Sequence, residues 1–169
     1  MEYLSIALTY DFVTKRIKLT WKDILYAIEQ NLLSTEAAIE HATIELSNNE
    51  EFSQQLLDLA SLYKGESVYP YLNELAAQES DIDDKIISER WLYLLLDWVF
   101  EHKDSYSDPL GIIEQIYADF DYPELITAFV RYMPSDESDL GTLELNEARL
   151  YKKWEDYLDS QKKRFSYEL

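Results

Sequence analysis

The stretch Ser80–Lys103, SDIDDKIISERWLYLLLDWVFEHK, decides the fold class. Ile87, Trp91, Leu94 and Trp98 recur at helical spacing, and Leu95, Val99 and Phe100 widen the stripe. So broad an apolar face predicts a helix packed on several sides, capped by Ser80 or Asp81, with Trp91 and Trp98 in the core. Nothing in the stretch alternates with the period of a strand.

The same reading extends in both directions. Thr20-Trp21-Lys22-Asp23 is a capping box opening a helix that ends near Asn31, with Trp21, Ile24, Leu25, Ala27 and Ile28 on its apolar face. Ser34 is expected to cap a helix over Thr35–Leu46. Asn48 and Asn49 then break the chain before a helix from about Glu50 to Tyr63, stopped at Gly65, and Ser67 starts a short helix through Leu75. Downstream, Asp108-Pro109 and Asp121-Tyr122-Pro123-Glu124 each place an acidic cap before Pro, the second ending at Tyr132. After a polar loop at Pro134–Gly141, the last helix runs from about Leu143 to Lys163. Residues 1–18 fit a helix through Tyr3, Leu4, Ala7, Leu8 and Asp11, although Ser5–Val13 also suits a short strand. The expectation is an all-α, compact single-domain bundle of about seven to eight mostly antiparallel helices over 1–169, with 1–18 the least defined segment.

Composition narrows the function classes. At 169 residues with 47% hydrophobic side chains, one domain can form its own core. No Cys is present, which excludes disulfides, thiolate nucleophiles and Cys-based metal sites. The longest apolar run is too short to span a bilayer and no targeting signal is read, so a cytoplasmic location is expected. Thirty-four Asp and Glu oppose fifteen Lys and Arg, a net of −19. Residues 23–148 hold 28 acidic and 5 basic side chains, a net of −23, while cations gather near both ends. Such a field repels nucleic acid and anionic membranes and attracts basic proteins, although acidity also serves solubility alone.

Catalytic and metal signatures are missing. His41 and His102 lack the Glu-x-x-His spacing of a di-metal bundle; His41 flanks its stripe as a surface residue, and His102 sits in a last helical turn. Counted from Asp136, Gly141 and Glu147 fall where a calcium loop has its glycine and its final acid, but Leu140 stands where an oxygen ligand is required. Gly65, Gly111 and Gly141 are isolated and build no phosphate loop, and there is no Gly-x-Ser-x-Gly. No catalytic, cofactor or metal residue is assigned, and no cofactor is expected.

Many acids have local work at helix starts, among them Asp81, Asp83, Asp84, Asp108, Asp121 and Glu124. Asp104, Asp119, Asp136, Glu137 and Asp139 do not. If the helices between them alternate direction, loops 104–108 and 134–141 share one end of the domain. Asp104, Tyr106, Asp136, Glu137 and Asp139 then form a candidate partner-binding surface, with charge to steer encounter and a tyrosine to anchor it. The opposite end, around Asp119, is the next candidate.

Two stretches, LTWKDILYAIEQNLLS at 19–34 and DPLGIIEQIYADFDYPELITAFVRYMP at 108–134, carry a resemblance that extends over about 19–154. The chain resembles an uncharacterised family of small acidic all-helical bacterial proteins of the polymorphic-toxin immunity type. The resemblance implies a stoichiometric binder of a toxin domain in a bacterial cytoplasm, and it transfers no residue role. The expected function is therefore a protein-interaction module, not an enzyme, that neutralises a basic toxin domain and binds neither nucleic acid nor membrane. The alternatives are an enzyme with carboxylate- or metal-dependent chemistry and an acidic regulator that mimics nucleic acid.

Overall fold

The structure, a computed structural model, describes residues 6–166. Among them are eight α-helices and no strand: α1 Tyr10–Thr14, α2 Trp21–Glu29, α3 Glu36–Asn48, α4 Gln54–Ala60, α5 Tyr69–Ala77, α6 Asp84–Glu101, α7 Pro109–Asp119 and α8 Leu143–Ser166. Two 3₁₀ helices, Lys103–Ser105 and Glu124–Phe129, complete the set. The all-α expectation holds. Contacts divide these residues into two units, 6–87 and 88–166, with the boundary falling inside α6.

In the first unit α2 packs on α5, and α4 packs on both α3 and α5. The start of α2 is sealed completely. Thr20 and Asp23 form the expected capping box, each side chain accepting the other's backbone N–H at 3.1 Å. The next two N–H groups, of Trp21 and Lys22, donate to the two carboxylate oxygens of Glu79 at 2.9 Å. All four orphan donors of that helix start therefore have acceptors. At its other end Asn31 adopts φ 60, Leu32 N–H bonds Ala27 O at 2.8 Å and Asn31 N–H bonds Ile28 O at 3.1 Å. This is a Schellman turn with Asn where Gly fits best. Asn31→Gly is expected to raise stability by about half a kcal/mol, the relief of left-handed strain partly offset by a freer unfolded chain. An unchanged or lower urea midpoint would contradict it.

In the second unit α8 packs on the Glu124–Phe129 helix. Trp154 of α8, fully buried, meets Phe100 of α6 edge-on at 4.9 Å between ring centroids. It also lies parallel to Phe129 at 6.3 Å. Farther along α8, Phe165 approaches Tyr93 of α6 at 5.7 Å, and Arg164 pairs with Glu89 at 2.7 Å.

Several boundaries differ from the sequence reading, each for a local reason. Residues 6–9 form no helix, with Leu8 N–H bonded to Leu32 O, so the N-terminal helix starts only after Thr9, which is extended and caps it; Tyr3 and Leu4 lie outside the described residues. Helix α3 begins at Glu36 after Thr35, and Ser34 does not cap it. Helix α4 is held to seven residues by Ser53, whose hydroxyl accepts from Leu56 N–H. Helix α6 starts after Asp83 instead of Ser80 or Asp81: the Asp83 carboxylate accepts from Lys85 N–H at 3.0 Å. Asp121 and Tyr122 cap nothing downstream. They close α7 in a second Schellman turn, at φ 59 and φ 55, and leave only a 3₁₀ helix to follow. Two consecutive non-glycine residues in that region cost about 1–2 kcal/mol each.

The α6 stripe is broader than its spacing requires, since residues 91–96 are all buried. Trp98 is the exception to the expected core. It is half-buried and stacks on His102 at 4.0 Å, with His102 Nδ1 2.7 Å from Trp98 O. His41 departs in the opposite sense and is buried. Its Nδ1 lies 2.7 Å from the Tyr10 hydroxyl, its Nε2 lies 3.1 Å from Glu45, and its ring meets Trp21 edge-on.

Candidate functional site

Within residues 104–148 eleven carboxylates accompany a single cation, Arg131. Its guanidinium reaches three carboxylates. Nη1 and Nη2 donate to the two Asp108 oxygens at 3.0 Å each, Nε donates to Glu114 at 3.1 Å, and Glu147 lies 4.0 Å away. The fork geometry of Arg suits this bidentate grip, which Lys cannot reproduce. Hydrogen bonding to Arg131 holds the Asp108 carboxyl below its ordinary range, and the same bonds raise Arg131. Asp108 precedes Pro109 as expected but makes no side-chain cap, because its carboxylate is turned to Arg131.

The loop 134–141 is laced onto α8. Arg149 and Lys153, one turn apart, both reach Glu137: Lys153 Nζ donates to Oε1 and Arg149 Nε lies 3.1 Å from Oε2. Arg149 also donates to Ser138 O at 2.9 Å. Asp139 Oδ1 accepts from Gly141 N–H and from Asn146 Nδ2, each at 2.8 Å, and Asn146 Oδ1 accepts from Leu140 N–H at 3.0 Å. These bonds correct one premise of the sequence reading: Glu137 and Asp139 do have local structural work. They also fill the apparent calcium loop with its own amides, and no group of three or more metal-ligating side chains occurs among the described residues.

Asp136 remains exposed on the loop. Asp104 is exposed in the Lys103–Ser105 helix, and Tyr106 follows it half-buried in an extended conformation. Burial raises the Tyr151 hydroxyl, and Glu147, Asp108 and Asp104 push it further in the same direction. Asp104 thus acts on Tyr151 of α8 through its charge, while Glu137 and Asp139 meet α8 at Asn146, Arg149 and Lys153. Residues 146–153 of α8 serve both groups. Asp119 is half-buried, and burial raises its carboxyl.

Lys153 and Arg149 hold Glu137 below its ordinary range, and Asn146 and the Gly141 amide do the same for Asp139. Both acids bind fewer protons folded than unfolded. Their stabilisation is present above the usual carboxylate range and is lost as pH falls through the lowered values. Carboxyl-carbon NMR is expected to place the Glu137 midpoint below that of a model peptide, at about 4.3. Lys153→Gln should move it back up, and an unmoved midpoint would show that the pair does not form in solution.

A cavity opens in each unit. One of about 190 Å³ beside Arg131, Arg149 and Lys153 is smaller than ligand sites usually are. Another of about 490 Å³ opens in the first unit between α2 and α5, where its one lining cation, Lys22, lies 3.7 Å from Asp81.

Residues 10–162 match the family described as "uncharacterized protein conserved in bacteria", DUF2247. The chain belongs to that family. The match covers most of both units, from α1 to near the end of α8, and includes every candidate residue named above. No curated protein and no solved structure matches the chain. No helix among the described residues is long and apolar enough to cross a membrane.

Sequence reasoning missed the Arg131 cluster and the pairing of Glu137 with α8. A partial signal for the first was present, since Arg131 is the one cation in a run of eleven carboxylates, but which of them it meets depends on partners 16–23 positions away. The second depends on contacts across 12 or more positions, which spacing does not encode.

Proposed function

We propose that this chain is a bacterial protein-interaction module that binds a basic protein domain, and that it acts as an immunity protein neutralising a cognate toxin in the cytoplasm. The observation that carries the reading is the charge of residues 104–148. Their one cation is held by Asp108, Glu114 and Glu147, and the remaining carboxylates include the exposed Asp104, Asp121, Glu124, Asp136 and Glu144. Such a surface complements the basic cleft of an enzyme that acts on nucleic acid, and it disfavours nucleic acid and anionic lipid themselves. Membership of a bacterial family supports the setting. The resemblance in 19–34 and 108–134 supports the toxin-binding role.

The test pairs the full chain with the toxin domain encoded beside it. Calorimetry should give a 1:1 complex whose association slows as ionic strength rises, with a screening length of about 8 Å near 0.15 M salt. The toxin's activity should fall in proportion to the complex formed. Absence of a complex at low salt would overturn the reading. Asp136→Asn is expected to slow association while leaving the melting temperature unchanged, because that side chain is exposed.

A further inference from the structure

We infer that Tyr122 and Tyr132 anchor the partner, and that the group they receive is an arginine side chain of a basic protein. This deepens the reading above and rests on it for the sign of the partner; it adds the place and the chemistry. Both rings are 56% exposed. Both are held against one buried ring, Tyr117, whose centroid lies 5.3 Å from Tyr122 and 6.1 Å from Tyr132. Tyr117 is fixed in turn, with its hydroxyl 3.8 Å from Met133 Sδ. Two exposed phenols on a buried aromatic support form a rigid contact surface that loses little entropy on binding.

Packing on Tyr117 gives the Tyr122 ring a part in closing the α7 Schellman turn, but that part leaves more than half of the residue exposed. Its φ of 55 suits Gly or Asn, and its ring is not part of the core. The surrounding charge selects the partner. Asp121 and Glu124 flank Tyr122 in the chain, Glu114 acts on Tyr132, and Arg131 is already bound by Asp108 and Glu114. A guanidinium fits such a seat in two ways, over the ring faces and against a carboxylate in its plane. A lysine ammonium lacks the planar stacking mode.

The test uses the full chain with tyrosine rings labelled by ¹³C and a nona-arginine peptide as the probe. The ring signals of Tyr122 and Tyr132 are expected to shift more than those of the other tyrosines on titration. The double variant Tyr122→Ala, Tyr132→Ala should weaken peptide binding by about tenfold or more, while Tyr→Phe at both positions keeps the rings and stays near wild type. Unmoved ring signals in the wild-type protein overturn the inference, and this readout does not depend on any variant folding. A toxin domain that binds wild type and the double Ala variant alike overturns it too, while leaving the binding function standing. A toxin domain that does not bind, with nona-arginine still seated at both tyrosines, overturns the immunity reading and upholds the surface.

Discussion

Trp154→Ala is expected to remove about 3–5 kcal/mol of stability, a large part of the roughly 5–15 kcal/mol that holds a domain folded. The indole is fully buried and is met by Phe100, Phe129 and Tyr151. Those rings come from α6, the Glu124–Phe129 helix and α8, so one truncation loosens three elements of the second unit at once. The cavity left is larger than a methylene or two, and rings fixed on separate helices collapse into it poorly. Urea unfolding should show a lower midpoint with little change in slope. Trp154→Phe should cost less, because it keeps an aromatic body and the indole N–H has no acceptor among the described residues. Equal midpoints for wild type and the Ala variant would mean that this ring cluster is not formed.

Glu79→Ala is expected to cost about 1–3 kcal/mol, the range for leaving hydrogen-bonded donors without a charged acceptor. Its carboxylate takes the Trp21 and Lys22 N–H groups together, and Trp21 is itself buried. Glu79→Gln retains a single carbonyl acceptor and loses the charge that suits a helix N-terminus, so an intermediate loss is expected. The ranking wild type, Gln, Ala in thermal midpoint checks the assignment. A Gln variant as unstable as Ala would point to a role for the charge elsewhere.

How much of this was legible depended on how local the cause was. Thr20 and Asp23 are three residues apart and cap as expected; Pro109 opens α7, and α8 starts at Leu143. Where several polar residues competed for one helix start, spacing alone did not choose the winner: Asp83 prevailed over Ser80 and Asp81, and Ser53 set α4. Tyr122 was misjudged because Asp-Tyr-Pro-Glu reads as a start, whereas two left-handed residues make it a stop. His41 reads as a surface residue because it flanks the apolar stripe of its helix. Its burial depends on Tyr10 and Trp21, which come from other helices. Of the candidate surface, the acidity was visible and the anchoring of Glu137 and Asp139 was not, since their partners lie on α8.

The Glu79 seal also bears on the order in which the molecule assembles. Helix α2 has nine residues, fewer than the roughly 12–15 at which an isolated helix becomes even marginal in water. The bonds from Trp21 and Lys22 to Glu79 close loops spanning 58 and 57 positions, an entropic penalty of roughly 3–4 kcal/mol before any contact compensates it. A chain emerging from the ribosome therefore carries α2 as a frayed segment, steadied locally by its own capping box and closing Schellman turn, until residue 79 is free to fold back. Completion of α2 is consequently a late event, timed by translation of a glutamate that lies beyond α5.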